Sequence, residues 1–165
     1  MKRLALLFTL GALVLVGSGF QAGYQTIKDY CTSSESRKKA KQTLKPFQYD
    51  AGKTNKFTFK NKEQVREIEV PLFVGERYRF VFNTEGLPQP IGIEIYDKKS
   101  TSKNKSLLFS NADIPADQKE FVFEPEKSKK LYVNYTVPVT NDTIKKGCVL
   151  FVLGYQSKFK KQEGK

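Results

Sequence analysis

Short runs of alternating apolar residues, separated by turn residues, are the sequence feature that most constrains the fold. The clearest example is the stretch from Glu69 to Tyr96, which holds two such runs, with Gly75 before the first and a Pro/Gly loop between them. A period of two is typical of strands that bury one face. We interpret this stretch as the central hairpin of a β-sheet.

The same pattern recurs along most of the chain. Further strands are predicted at Phe47–Tyr49, Lys56–Lys60, Val65–Phe73, Ser106–Ser110, Glu120–Glu124 and Leu131–Val137. Turn signals recur every 8 to 12 residues or so, and no parallel βαβ rhythm is visible. The sequence therefore predicts one all-β domain over residues 47–155, an antiparallel, jelly-roll-like β-sandwich of about 8–9 strands with a short N-terminal helix.

The run CVLFVL, from Cys148 to Leu153, has no polar residue on either face. Such a strand should be covered on both sides. In an oxidising compartment Cys31 and Cys148 invite a disulfide, which would stabilise the fold by about 4 to 5 kcal/mol in the chain-entropy model. We expect the opposing sheet to cover one side of this strand and the N-terminal segment, held through Cys31, to cover the other.

The N-terminal segment, residues 23–46, contains one predicted helix. Thr32 and Glu35 have capping-box spacing, and good helix formers continue from Ser34 to Leu44, before Pro46. The basic residues are not confined to one face, so this is no amphipathic membrane helix. We expect the helix to lie across the sheet edge.

The first residues predict export. Lys2 and Arg3 precede an apolar run from Leu4 to Val16, which is typical of a signal peptide and is assigned here to residues 1–22. An uncleaved anchor is the alternative, although this run is short for a bilayer span, which needs about 20 residues. The predicted location is periplasmic or extracellular.

The chain is basic, with a formal charge of +12 that falls to about +10 once Lys2 and Arg3 are removed. This charge favours anionic partners, such as an acidic polysaccharide, phospholipid head groups or an acidic protein. A lysine-rich solvated surface is the simpler interpretation. Nucleic acid is not expected for an exported protein, and membrane contact is expected only through an uncleaved signal. The tail at 156–165 is basic and is predicted to be disordered.

Composition excludes several kinds of catalytic site. The chain contains no histidine, which rules out Ser-His-Asp and Cys-His nucleophiles and His-ligated zinc. Two distant cysteines make neither a thiolate zinc site nor a CxxC redox motif, and no phosphate-binding glycine loop is present. The sequence predicts no catalytic residue, no cofactor and no metal site.

Carboxylates are the remaining candidates for a catalytic or metal-binding site. Glu67, Glu69, Glu94 and Asp97 are candidates for glycoside hydrolysis, but Glu67 and Glu69 alternate with apolar residues as solvent-facing positions do. Calcium at Asp97, or at Asp113 and Asp117, is a further alternative with few carboxylates to support it.

Two groups of residues are candidate ligand-binding positions. Tyr96, Tyr132 and Tyr155 occupy places in the alternation that can face outward and stack on sugar rings, although cross-strand packing explains such tyrosines equally. Arg77 and Arg79 share a face and can hold a carboxylate or sulfate. Salt bridges to Glu67, Glu69 or Glu94 are the simpler interpretation of these arginines.

Three motifs resemble those of the bacterial pre-peptidase C-terminal-like β-sandwich and of related GOLD- or CUB-like jelly rolls. The residues that match are Gly75, Tyr78 and Phe80, then Ile93, Ile95, Tyr96 and Asp97, then Phe123, Pro125, Tyr132 and Val133. The resemblance covers roughly Glu63 to Val137, and neither the N-terminal segment nor the CVLFVLGY ending has a counterpart. It implies a noncatalytic module, because such domains are usually appendages of secreted enzymes or adhesion proteins.

These observations together predict an exported, noncatalytic binding or accessory protein of the cell envelope. Its expected partner is another envelope protein, bound through a sheet edge or the basic surface. The alternative is a carbohydrate-binding module that recognises neutral or acidic glycans.

Overall fold

A computed structural model describes residues 27–127, 129–141 and 145–157. The predicted signal peptide and most of the predicted basic tail lie outside these residues. The described chain forms helices α1 (Ile27–Thr32) and α2 (Ser34–Gln42) and strands β1 (Gln48–Thr58), β2 (Gln64–Val70), β3 (Glu76–Asn83), β4 (Gly92–Tyr96), β5 (Leu107–Ser110), β6 (Glu120–Phe123), β7 (Leu131–Val137) and β8 (Lys146–Ser157). None of the described helices is long and apolar enough to cross a membrane.

The strands form two antiparallel sheets of four strands each. Sheet A has the order β1-β8-β3-β6 and sheet B the order β2-β7-β4-β5. The pairs β1·β8, β2·β7, β3·β6 and β4·β5 are those of one long folded hairpin, and the pairs β3·β8 and β4·β7 close it into a roll. This is the jelly-roll arrangement, so the predicted all-β sandwich is confirmed.

The predicted central hairpin between Glu69 and Tyr96 is wrong. Strands β2 and β4 lie in sheet B whereas β3 lies in sheet A, so the chain crosses between sheets on either side of β3. Alternation reports that a strand has one buried face, but it does not report which strand is the neighbour. The strand predicted as far as Phe73 ends at Val70, directly before Pro71, which cannot donate a hydrogen bond to a neighbouring strand; β2 is also an edge strand.

One strand replaces the two that were predicted around the sequence AGKTN. Strand β1 runs without a turn from Gln48, paired with Tyr155, to Thr58, paired with Lys146. Its register shifts once, between Tyr49 and Ala51, as at a β-bulge. The long partner β8 offers hydrogen bonds along this whole length, which outweighs the weak strand preference of Gly52 and Asn55.

The core lies between the sheets and is rich in aromatic rings. Phe82 stacks on Phe151 with ring centroids 5.0 Å apart, and Phe80 meets Phe123 edge-on at 5.8 Å. Each such pair adds about 0.5–1.5 kcal/mol to the burial of its area. The alternation predicts one buried face for each strand, and this is confirmed for β3, β4 and β7, whose buried apolar residues are Tyr78, Phe80, Phe82, Ile93, Ile95, Leu131, Val133, Tyr135 and Val137.

The N-terminal segment covers the outer face of sheet A. Cys31 and Cys148 form a disulfide, with their Cα atoms 5.9 Å apart. Beyond α2, Leu44 and Phe47 join Ala40 in a buried cluster with Val81 of β3 and Val152 of β8. Every residue from Cys148 to Leu153 is buried, so the prediction that this strand is covered on both sides is confirmed.

The position and capping of this segment differ from the prediction. It lies over β8 and β3, the two middle strands of sheet A, rather than over an edge. Gly154 permits the close approach, because a Cβ atom there would stand 2.9 Å from Leu44 Cδ2. The N-cap is Ser33 rather than Thr32, since Ser33 Oγ accepts hydrogen bonds from the backbone N–H groups of Glu35 and Ser36.

Candidate functional site

The outer surface of sheet B gathers most of the polar residues that the sequence singled out. Glu67, Asn134 and Glu94 lie side by side across β2, β7 and β4, and Glu69, Tyr132 and Tyr96 form the next row. These six residues are called the polar face below. They point outward because Ile68, Ile93, Ile95, Val133 and Tyr135 alternate with them and pack inward.

The loop between β4 and β5, residues 97–106, folds back over the polar face. The Ser100 N–H donates to Glu67 Oε2 over 2.6 Å, and the Ser106 N–H donates to Asp97 Oδ1, also over 2.6 Å. An open cavity of about 390 Å³ lies between this loop and the sheet; it is lined by Glu69, Asp97, Lys98, Lys99, Ser102, Lys130 and Tyr132. This loop, which contains no apolar side chain, therefore forms one wall of a polar site.

Asn134 is the residue of this site that the sequence reasoning missed. It is only 5% exposed, and its Oδ1 has no hydrogen-bond partner within the described part of the chain. An unmet buried acceptor costs about 1–3 kcal/mol, so the position favours a donor such as a ligand hydroxyl or a water molecule. The available signal was an asparagine in the middle of a strand, where asparagine is disfavoured.

The two tyrosines of the polar face lie opposite each other on neighbouring strands. Tyr96 Oη donates to Glu94 Oε2 over 2.9 Å, and Lys105 Nζ lies 4.5 Å from the centroid of the Tyr96 ring. Burial, together with the hydrogen bond to the Glu94 carboxylate, raises the pKa of Tyr96. Lys105 therefore occupies one face of this ring, while Tyr132 lines the cavity.

The carboxylates of the site are engaged in hydrogen bonds and ion pairs. Lys130 Nζ lies 2.7 Å from Glu69 Oε1, and this hydrogen bond lowers the pKa of Glu69. The Ser106 N–H and Lys129 lower the pKa of Asp97. Both groups are therefore ionised at neutral pH, which does not suit the protonated acid of a glycosidase.

The predicted arginine site lies elsewhere, on the outer face of sheet A. Arg79 Nε donates to Glu124 Oε1 over 2.8 Å, and Arg77 Nη2 lies 3.3 Å from Glu124 Oε2. The expected pairing with Glu67, Glu69 or Glu94 is wrong, because those residues lie on the other outer surface of the sandwich. The structure does not bring the arginines together with Tyr96 and Tyr132.

The side chains of Arg79 and Tyr155 make contacts that support the fold. Arg79 Nη1 donates to the carbonyl oxygens of Thr43, at 3.3 Å, and Lys45, at 2.6 Å. Its guanidinium thereby connects the end of the helical segment to β3. Tyr155 is partly buried against the main core rather than outward, because β8 pairs it with the inward-facing Tyr78.

A second surface lies along the open side of the sandwich, where β5 ends sheet B and β6 ends sheet A. Leu107 is 52% exposed, Leu108 40% and Val122 44%. The register of β5 shifts against β4 so that Leu108 has no partner, which leaves both leucines accessible. A groove of about 440 Å³ runs beside them and also contacts Phe123 and Pro125.

The described residues contain no group of three Cys, Asp or Glu side chains that could hold a metal ion. Asp97, one of the positions considered for calcium, instead accepts hydrogen bonds from the Ser106 N–H and from Lys129 Nζ.

No protein-family model matches the chain, and no curated protein matches it. The resemblance to the pre-peptidase C-terminal-like domains therefore stays a prediction.

Proposed function

We propose that the chain is an exported, noncatalytic binding protein of the cell envelope that holds a partner protein along the open side of the sandwich. The observation that carries this proposal is the exposure of Leu107, Leu108 and Val122 on the two edge strands that flank a groove. Natural proteins usually protect such edges with charge or proline.

The edge of β5 fits an extended partner segment. An edge strand presents unpaired N–H and C=O groups to which another strand can add, and neighbouring pockets then select its side chains. The groove beside β5 is bordered by the leucines and by charges of both signs, Lys127 and Lys129 together with Asp97, Glu124 and Glu126. The expected segment therefore carries apolar residues with charged residues of both signs beside them.

Two further observations support export. Cys31 and Cys148 form a disulfide, and disulfides persist mainly in oxidising compartments. The sequence also begins with two cations and a run of apolar residues, as signal peptides do.

Site-specific photo-cross-linking in the native envelope tests the protein-binding role. A benzoylphenylalanine placed at Leu108 is expected to trap a discrete adduct with an envelope protein. The matched control is the same group at Val65, which is 61% exposed on β2, the other edge strand of sheet B. No adduct at position 108, or the same adducts at both positions, contradicts the proposal.

A carbohydrate-binding role is a second candidate, and the buried, unpaired Asn134 Oδ1 beside Tyr132 favours it. Sugar hydroxyls supply the donor that Asn134 lacks, and tyrosine rings stack on sugar faces. Binding to soluble neutral glycans and uronic-acid polysaccharides is measured by calorimetry. The variants Asn134→Ala and Tyr132→Ala should lose this binding and Tyr49→Ala, on β1, should keep it; unchanged binding in all three excludes the polar face.

A further inference from the structure

The turn between β2 and β3 presents two neighbouring apolar side chains to solvent. Phe73 is 73% exposed and Val74 is 91% exposed, the two highest values among the large apolar side chains that the structure describes as exposed. The residue before them, Leu72, is only 8% exposed and belongs to the main core. The exposure is therefore confined to the tip of the turn.

The backbone holds this tip in place. The Phe73 N–H donates to the buried hydroxyl of Tyr78 over 3.1 Å. Gly75 has a φ of 92°, a left-handed conformation that glycine adopts far more readily than other residues. With Leu72 anchored in the core on one side and Gly75 on the other, Phe73 and Val74 project outward from a fixed turn.

The same end of the sandwich is rich in lysine. Because every strand pair is antiparallel, the β2–β3, β4–β5 and β6–β7 connections lie at one end. The β4–β5 and β6–β7 connections, residues 97–106 and 124–130, contain seven lysines against one aspartate and two glutamates. Lys99, Lys103 and Lys127 form no ion pair with any carboxylate in the described part of the chain.

Strand β8 ends beside the same turn. Ser157, the last residue of β8, is the register partner of Glu76, which directly follows Gly75. The eight residues after Ser157 include four lysines and one glutamate. The residue that precedes this basic sequence therefore lies next to the apolar tip.

A fluid surface fits this arrangement better than a protein pocket does. Stable protein interfaces bury about 800 Å² on each partner, and two side chains on a convex turn are too few for that. A bilayer instead deforms around inserted side chains, which reach about 5–10 Å into the head-group boundary, while anionic head groups attract lysine.

We propose that the β2–β3 turn docks this protein on an anionic phospholipid surface, with Phe73 and Val74 inserted among the lipids and the surrounding lysines bound to phosphate head groups. This contact is separate from the β5 edge and from the uncleaved signal that the sequence suggested as a membrane attachment. Each of the three can be removed without the others.

Tryptophan fluorescence reports the insertion directly, because the chain contains no tryptophan. Full-length Phe73→Trp is mixed with vesicles of phosphatidylglycerol and phosphatidylcholine in equal amounts. Its emission should shift to the blue and be quenched by brominated lipid. The matched control is Val139→Trp, 51% exposed in the β7–β8 connection at the opposite end. This control distinguishes docking by the turn from attachment through the apolar residues 4–16.

Variants of the tip and of its charge complete the test. Sedimentation with the same vesicles should weaken at least about tenfold for Phe73→Ser/Val74→Ser, because two apolar side chains lose their burial. Lys99→Glu/Lys103→Glu should also weaken binding, whereas Lys53→Glu/Lys56→Glu, the same charge change on β1, should weaken it less. Circular dichroism checks that each variant is folded.

Three outcomes would overturn the proposal. One is an emission spectrum of Phe73→Trp that does not change with anionic vesicles. Another is an equal shift for Val139→Trp, which would assign the contact to another part of the chain. The third is full binding by folded Phe73→Ser/Val74→Ser.

Discussion

The guanidinium of Arg79 lies over the ring of Phe47, with 4.5 Å between its Cζ atom and the ring centroid. Arg79 projects from β3, whereas Phe47 ends the segment that connects α2 to β1. The contact closes the N-terminal cover over sheet A at the end opposite the Cys31–Cys148 disulfide. The cover is thus held at both ends, by a covalent bond and by an arginine.

Replacing Arg79 with lysine should destabilise the fold by about 1–3 kcal/mol. Lysine keeps the charge, but its three donors lie on one atom and do not reproduce the four hydrogen bonds that the spread guanidinium makes to Glu124 and to the two backbone carbonyls, which would lose a charged donor. Arg77→Lys is the control, because its side chain is 56% exposed and should change stability by no more than about 0.5 kcal/mol. Urea unfolding measures both variants, and equal effects would contradict the role assigned to Arg79.

Removing the disulfide should also lower stability, by about 4–5 kcal/mol in the chain-entropy estimate for a loop of this length. Cys31→Ser/Cys148→Ser is compared with the oxidised protein by thermal and urea unfolding. Hydrogen exchange should increase first in α1, which packs on β8 around this bond. An unchanged unfolding midpoint would show that α1 holds its place without the bond.

Gly154→Ala tests how closely the helical segment approaches the sheet. An added Cβ would meet Leu44 Cδ2 at 2.9 Å and the Gln48 carbonyl oxygen at 3.0 Å. Such overpacking typically costs about 1–3 kcal/mol. Gly52→Ala on β1 is the control, since its nearest contact is the exposed Tyr49 hydroxyl at 3.1 Å. Unfolding free energies that change equally in both variants would contradict the packing described here.

The stability that the polar face contributes should fall in acid. The hydrogen bond from Lys130 lowers the pKa of Glu69, so the stability that this carboxylate contributes is present above its ordinary pKa and is lost as the pH falls through the lowered value. Carbon NMR titration should show the pKa of Glu69 rising in Lys130→Ala and changing little in Lys53→Ala. A pKa of Glu69 that is the same in Lys130→Ala as in the unchanged protein would contradict the ion pair.

Alternation was enough to predict most of the strands and their buried faces, although not the single long strand β1. The run from Leu131 to Val137 coincides with β7, and the apolar run from Cys148 was correctly expected to have two covers. Both features follow from local burial, which the sequence records residue by residue. The disulfide could also be predicted, since the chain has only two cysteines.

Neither the pairing of the strands nor the candidate site could be predicted from the sequence, for a physical reason. Which strands become neighbours depends on contacts between distant segments, and nothing near β3 specifies that β8 and β6 will flank it. Asn134 gains its significance from Glu67 and Glu94 on two other strands and from a loop that folds over them. The partner of Arg79 was missed likewise, because Glu124 lies 45 positions further along the chain.

The strand order has a consequence for how the protein is made. The neighbour of β1 in sheet A is β8, and the partner of Cys31 is Cys148. Synthesis proceeds from the N-terminus, so β1 and Cys31 have no partner until nearly the whole domain has left the ribosome. The growing chain therefore cannot complete sheet A or form the disulfide until its last strand, β8, has emerged.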